Sequence, residues 1–231
     1  MELLAIPVML AMAVLVLHIV YRPPPLVGRS VSSALRLSAE TRLGRLVLSA
    51  APHHPHDSGV VALDDGRDAF AARVALIREA DHALDIQYYI WQRDLTGLLL
   101  MNELRQAAAR GVRIRLLLDD NGIPGLDPHL AELDALPGIE VRLFNPFILR
   151  RPKVLGFLFD FVRLNRRMHN KLMVADGAAA ILGGRNVGDV YFAYGPGRHN
   201  LDTDVLAIGR VADEAGADFD RYWDSHSAYP A

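Results

Sequence analysis

A histidine and a lysine lie two positions apart, at His169 and Lys171, within the run from Met168 to Asp176. On a strand, both side chains project from one face, while Leu172 and Val174 point from the other face into the core. Placing an imidazole beside an ammonium group is unfavourable unless an anion lies between them, because two cations repel and a buried lysine is costly. The pair therefore indicates a site for a phosphate group.

A glycine pair follows the next predicted strand, Ala178–Leu182. Because glycine has no side chain, the backbone amides of Gly183 and Gly184 can approach an anion closely. The side-chain amide of Asn186 can donate to a non-bridging phosphate oxygen. The sequence therefore predicts a phosphate site formed by Lys171, Gly183, Gly184 and Asn186.

These two runs together resemble the signature of the phospholipase D superfamily. They read HxKxxxxD at His169, Lys171 and Asp176, then GGRN at residues 183–186. From about Ser58 to the C-terminus the chain is similar to bacterial cardiolipin synthases of the C-type branch, in the runs DIQYYIW (85–91), RLLLDDNG (115–122), RLFNPF (142–147), LNRRMHNK (164–171) and GGRNVGDVYF (183–192). Members of that branch carry two such motifs in a pair of lobes, whereas this sequence contains one.

The resemblance implies that His169 attacks a phosphodiester and forms a phosphohistidine. Lys171 and Asn186 would neutralise the phosphoryl oxygens, and a carboxylate, Asp204 or Asp202, would orient the ring of His169. The expected catalytic residues are His169, Lys171, Asp176, Asn186 and Asp204.

Two parts of this implied mechanism need separate comment. Asp176, the last residue of the motif, is expected to fix the loop that follows its strand. The histidine of a second motif normally protonates the leaving alcohol and deprotonates the incoming one. Because the sequence has no second HxK, the resemblance implies that a second lobe or a homodimer partner supplies that histidine.

Helix-like and strand-like segments alternate from Val60 onward. Apolar residues at helical spacing predict the helices, and runs rich in β-branched and aromatic residues predict the strands. The series is helix 67–80, strand 83–91, helix 95–110, strand 112–118, helix 128–136 and strand 139–144, with later strands at 178–182 and 204–208. This βαβαβ order predicts an α/β fold with parallel pairs. The expected architecture is a phospholipase D-like lobe with a mixed, largely parallel sheet and helices on both faces.

The first 21 residues are predicted to be an uncleaved transmembrane anchor. The run Leu3–Val20 has one polar residue, His18, and as a helix it would reach about 27 Å across a hydrocarbon layer of roughly 30 Å. Arginines follow the run, which by the positive-inside rule places the remainder in the cytoplasm. A signal peptide with a poor basic region is the alternative. The predicted organisation is a single-pass anchor in the cell membrane (1–21), a linker (22–59) and a phospholipase D-like domain (60–231).

The composition excludes several classes of protein. The 231 residues contain no cysteine, which excludes disulfides, Cys-ligated zinc and a thiol nucleophile. The formal net charge of −2 lacks the basic excess of a protein that coats nucleic acid. Histidines 53, 54 and 56 could bind a metal, but Pro55 and the absence of a spaced partner favour a polar loop. The sequence predicts neither a metal nor an organic cofactor.

A basic and apolar stretch occupies residues 141–175. It holds eight Arg or Lys residues and one acid, Asp160, interleaved with Phe and Leu. Arginines beside apolar side chains suit an anionic phospholipid, because guanidinium groups bind the headgroup and hydrocarbon contacts the chains. An ordinary core helix with a solvated basic edge explains the same pattern. The sequence leaves both interpretations open.

The leading hypothesis from the sequence is a membrane-anchored phosphatidyltransferase of the cardiolipin synthase type. Its substrates would be phospholipids, with phosphatidylglycerol as the expected one, and its partners the membrane and a second lobe or second copy. A homodimeric phosphodiesterase acting on nucleic acid, or a phospholipase D hydrolase, is one alternative. A catalytically silent, membrane-tethered module that binds lipid is the other.

Overall fold

The computed structural model describes residues 2–27, 29–50 and 57–231. Two short 3₁₀ turns, Asp120–Gly122 and Lys153–Gly156, accompany its helices and strands. The α-helices and β-strands, in chain order, are α1 (Glu2–Val20), α2 (Arg42–Ala50), β1 (Ser58–Leu63), α3 (Gly66–Glu79), β2 (Ala83–Tyr88), α4 (Leu95–Ala109), β3 (Arg113–Asp119), α5 (Asp127–Asp134), β4 (Ile139–Phe144), α6 (Phe157–Leu164), β5 (Lys171–Ala175), β6 (Ala179–Gly183), β7 (Asp204–Gly209), α7 (Arg210–Trp223) and β8 (Ala228–Pro230).

One sheet contains all eight strands of the described residues, in the order β1-β7-β6-β5-β2-β3-β4-β8. The expected parallel pairs are present, because β2 lies parallel to β3, and β3 to β4. The other pairings within the described chain are antiparallel. The sheet is mixed, as expected, but the prediction that it is largely parallel is wrong. Only a short turn joins β5 to β6, and such a connection forces an antiparallel hairpin.

Helices cover both faces of this sheet. On β3, Leu116 packs into a core with apolar side chains of α3, α4 and α5, such as Leu104. The next residue, Leu117, belongs to a second cluster that includes Phe219 and Trp223 of α7. Because successive side chains of a strand point to opposite faces, the two clusters are separate layers. The sheet is therefore buried between α3, α4 and α5 on one side and α7 on the other.

The N-terminal segment was expected to be a membrane anchor, and its helix α1 extends from Glu2 to Val20. Across the described ranges, no helix combines the length and the apolar character that a membrane crossing requires. The predicted transmembrane anchor is therefore not supported. The end of α1 contacts α6, since Nδ1 of His18 lies 2.9 Å from the Phe159 carbonyl oxygen and the Tyr21 and Phe159 rings stack at 5.3 Å.

Part of the segment predicted as a linker is bound to the domain. Arg29 donates to the carbonyl oxygens of Ser225 and Ala228 at 2.7 and 3.0 Å, and the Ala34 amide donates to the Asp220 carboxylate at 3.0 Å. The histidines at 53, 54 and 56 lie outside the described residues. The segment around Arg29 and Ala34 therefore packs against α7 and the chain that follows it.

Candidate active site

The structure brings His169 and Lys171 together at the start of β5. Nζ of Lys171 lies 3.2 Å from both ring nitrogens of His169, and it donates to the His169 carbonyl oxygen at 2.8 Å. The lysine is 8% exposed, whereas the histidine is exposed to solvent. An accessible imidazole thus lies beside a largely buried cation, an arrangement that could attack and hold an anionic group.

Burial makes Lys171 a poorly hydrated cation. Loss of solvent is the main cause that lowers the pKa of its ammonium group, and the nearby Asp202 carboxylate partly raises it again. An ammonium group that lacks water gains more from an anionic ligand than an exposed one does. The local charge therefore favours a phosphate oxygen at Nζ.

Tyr89 is a site residue that the motif did not identify. Its ring centroid lies 4.8 Å from that of His169, and Nζ of Lys171 lies 5.6 Å from the centre of the same ring. Tyr89 follows strand β2 directly, and Tyr88 pairs with Lys171 across the sheet. Its place in the aromatic run at the end of a predicted strand was the available signal. The Tyr89 ring therefore packs against both the imidazole of His169 and the ammonium group of Lys171.

The side chain of Asn186 binds the backbone of Ile90, the residue that follows Tyr89. Its Oδ1 accepts the backbone N–H of Ile90 at 3.0 Å, and the residue is 5% exposed. With its oxygen used in this way, the amide keeps its NH₂ group for another acceptor. Asn186 is thus fixed to the segment that follows β2, and its NH₂ group remains available as a donor.

Gly183 and Gly184 lie against the segment that leads into β7. The Gly184 amide donates to the Thr203 carbonyl oxygen at 3.1 Å, so it is already satisfied. A Cβ on Gly183 would lie 2.5 Å from the Asp204 Cα atom, and one on Gly184 would lie 2.6 Å from Oδ1 of Asp202. The glycines therefore allow the segment before β7 to pack closely. The structure gives no support for Gly184 as a phosphate ligand.

Asp204 forms a buried ion pair. The residue is fully buried, its Oδ2 lies 2.9 Å from Arg73, and its Oδ1 accepts the Arg185 amide at 3.1 Å. Arg73 also donates to the Tyr88 hydroxyl at 2.9 Å. Among the described contacts, none joins Asp204 to His169. Of the two carboxylates expected to orient the histidine, Asp202 is the one beside Lys171.

Asp176 lies at the other end of strand β5, away from His169. Its carboxylate accepts the backbone amides of Asp81, His82 and Ala83, each at 2.8 Å. The residue is 1% exposed and has a φ of 52°, a conformation that Asp tolerates better than most residues. The last residue of the motif therefore fixes the beginning of β2.

A second carboxylate, Asp119, binds the backbone of Met168, the residue before His169. Its Oδ2 accepts the Met168 amide at 2.8 Å, and its Oδ1 accepts from Arg167 at 3.0 Å and from the Asn121 amide at 2.9 Å. Burial raises the pKa of Asp119, and Arg167 opposes that effect. Asp119 is the last residue of β3. The structure makes it the anchor of the segment that carries His169.

An open cavity of about 480 Å³ lies beside the site, between the sheet and α7. His169, Lys171 and Gln87 line one side, and Glu214 and Asp218 of α7 line the other. No group of three or more potential metal ligands occurs in the described part of the chain. The cavity has room for a ligand next to His169.

Comparison with known proteins agrees with this arrangement. Residues 74–223 match the family model described as "Cardiolipin synthase, PLD-like domain". Cardiolipin synthase C of Escherichia coli is 52% identical over 189 residues, which cover 82% of this chain and 40% of that protein. The chain thus spans well under half the length of this relative.

Two solved structures share the fold. Phosphatidylserine synthase of Haemophilus influenzae has a TM-score of 0.57 and 15% identity, over 80% of this chain and 42% of that one. NucT of Helicobacter pylori has a TM-score of 0.54 and 16% identity, over 76% of this chain and 99% of that one. Since the family model covers more than half of the residues, the chain belongs to the family of cardiolipin synthase phospholipase D-like domains.

Proposed function

We propose that this chain carries the nucleophile of a phosphatidyltransferase of the cardiolipin synthase type. The observation that carries the proposal is the contact of Lys171 with His169. The similarity to cardiolipin synthase C supports phospholipid as the substrate class.

In the first step, a ring nitrogen of His169 attacks the phosphorus of phosphatidylglycerol. The new N–P bond forms as the bond from phosphorus to the headgroup oxygen breaks, which leaves a phosphatidyl-histidine and releases glycerol. Lys171 and the NH₂ group of Asn186 stabilise the negative charge on the non-bridging oxygens. The departing glycerol oxygen takes a proton from a general acid.

In the second step, a hydroxyl of another phosphatidylglycerol attacks the same phosphorus. The N–P bond breaks, a general base takes the hydroxyl proton, and cardiolipin forms. The sequence has one HxK motif, so a second lobe or a second copy of the chain supplies the acid and base. Its histidine would enter from the open side of the cavity.

The test is expression of this chain and of its His169→Ala variant in a bacterium that lacks its own cardiolipin synthases. Lipids are then measured by mass spectrometry, with and without co-expression of the second half of a cardiolipin synthase C. Cardiolipin from the first protein and not the second, in either setting, is the expected result. Production without the added half would identify a second copy of the chain as the partner.

Other outcomes separate the alternatives. Phosphatidic acid in place of cardiolipin would mean that water is the acceptor, as in a phospholipase D hydrolase. No change in lipids in either setting, with the protein folded, would overturn the transferase proposal. Unchanged cardiolipin from the His169→Ala variant would remove His169 from the reaction.

A further inference from the structure

Helix α6 and the 3₁₀ turn before it expose five large apolar side chains. On α6, Leu158, Phe161 and Val162 are 68%, 57% and 70% exposed, and in the turn Val154 and Leu155 are 67% and 43% exposed. We call these five side chains the α6 surface. Proteins that stay in water rarely leave such a group of neighbouring apolar side chains uncovered. The apolar residues of this stretch, which a core helix would also explain, therefore include several that lie exposed on α6 and the turn before it.

The inner side of α6 is well packed, so its exposed side is a defined surface. Leu164 is 1% exposed, and the Phe157 ring packs edge-on against Phe147 at 5.4 Å. Arg163 donates to the Pro146 carbonyl oxygen at 2.9 Å. Both the packed side and the exposed side of α6 therefore carry apolar side chains.

Positive charge borders the α6 surface. Arg151 and Arg166 are exposed, and within the described chain neither side chain has a hydrogen-bond or ion-pair partner. The one acid of the stretch, Asp160, is neutralised by Arg163 at 2.6 Å. Unpaired arginines beside exposed hydrocarbon complement an anionic headgroup above its acyl chains. A protein partner with an apolar patch would not by itself require these cations.

The α6 surface also lies close to the nucleophile. Four residues separate Leu164 from His169, so the five steps of backbone between their Cα atoms span at most about 18 Å. Asp119 fixes the Met168 amide within that connection. Helix α1, which contacts α6 through His18, adds exposed apolar residues such as Met9 and Leu10.

We propose that the α6 surface inserts into the interfacial layer of a bilayer containing anionic phospholipid. Arg151 and Arg166 then bind headgroup phosphates while Leu158 and Val162 contact acyl chains. This inference rests on the proposed function, because it explains how a lipid phosphate reaches His169 without leaving the membrane. The α6 surface is separate from the site at His169 and Lys171.

The absence of cysteine from the sequence permits a direct test. A single cysteine is introduced by Leu158→Cys in the full chain and labelled with an environment-sensitive fluorophore. The matched control is Val61→Cys on the edge strand β1, which is 61% exposed. With vesicles of phosphatidylcholine and phosphatidylglycerol, the label at 158 should shift to the blue and be quenched by a lipid-bound quencher. The label at 61 should do neither.

The charge is tested in the same labelled protein. Arg151→Gln with Arg166→Gln should weaken the response at 158, and the control Arg67→Gln, an exposed arginine on α3, should not. Vesicles of phosphatidylcholine alone, or added salt, should weaken the response as well, because screening reduces attraction between exposed charges.

Two results would overturn the inference, and a third would overturn only the proposed function. A label at 158 that stays in water while the protein is bound to vesicles overturns it. A blue shift without vesicles that grows with protein concentration also overturns it, because a second copy then covers the surface. Insertion at 158 with no cardiolipin from the parent chain, even when the second half of a cardiolipin synthase C is co-expressed, would overturn the proposed function and leave the α6 surface intact.

Discussion

Residues without a role in the motif determine how its residues are held. Tyr89 packs against both His169 and Lys171, and Asp119 binds the amide just before the histidine. The motif spacing was sufficient to bring His169 and Lys171 to one point. It could not reveal Asp119, because the contact joins residues 49 positions apart.

Asp202 should help to keep the Lys171 ammonium group protonated. Burial holds the pKa of the ammonium group below its ordinary value, and Asp202 is the charge that raises it. Asp202→Asn should therefore lower the pKa of Lys171 further, so that the ammonium loses its proton at a lower pH. In the proposed enzyme, the alkaline limit of activity would move to lower pH.

This shift can be measured by NMR titration of labelled lysine side chains. The sequence has two lysines, and the other, Lys153, lies against Asp120 at 2.9 Å. Its signal should be the same in both proteins. An unchanged titration of Lys171 in the Asp202→Asn variant would mean that this carboxylate does not act on it.

Asp204 should contribute to stability rather than to chemistry. Asp204→Asn leaves Arg73 buried without its charged partner, and breaking one half of a buried pair costs about 3–5 kcal/mol of unfolding free energy. Denaturant unfolding measures the loss, with Asp202→Asn as the control expected to change it little. A stable Asp204→Asn protein that has lost only its activity would contradict this assignment.

The directions of the strands show what the sequence pattern could not provide. The βαβαβ alternation predicted the parallel pairing of β2, β3 and β4, because strands joined by a helical crossover lie parallel. It gave no information on the partners of β5. That strand pairs antiparallel with β2 over a long sequence separation, and no local pattern encodes such a contact.

Asp176 links two of these strands. Replacing it by Ala removes the acceptor for three backbone amides, and leaving buried donors unpaired should cost about 2–4 kcal/mol in all. Asp176→Asn keeps an oxygen and tolerates the positive φ, so it should lose less. The measurement is the free energy of unfolding of the three proteins, compared with the activity per folded molecule. Loss of activity at full stability would instead favour a direct role in the reaction.

At the scale of the molecule, charge separates the lipid and nucleic-acid hypotheses. The formal net charge is −2, and the cations near the site at Arg150, Lys153 and Arg167 are paired with Asp119 or Asp120. We therefore expect no retention of duplex DNA in a gel-shift assay at physiological ionic strength. Binding that weakens steeply as salt rises would instead support the nuclease alternative.

The position of β5 between β2 and β6 has a consequence for folding. Lys171 pairs with Tyr88, more than eighty positions earlier in the chain, and contacts of such long range form slowly. The parallel strands β2 to β4 and their helices can assemble from contacts made close in sequence. We therefore expect His169 to meet the Tyr89 ring only when the later hairpin has joined these strands.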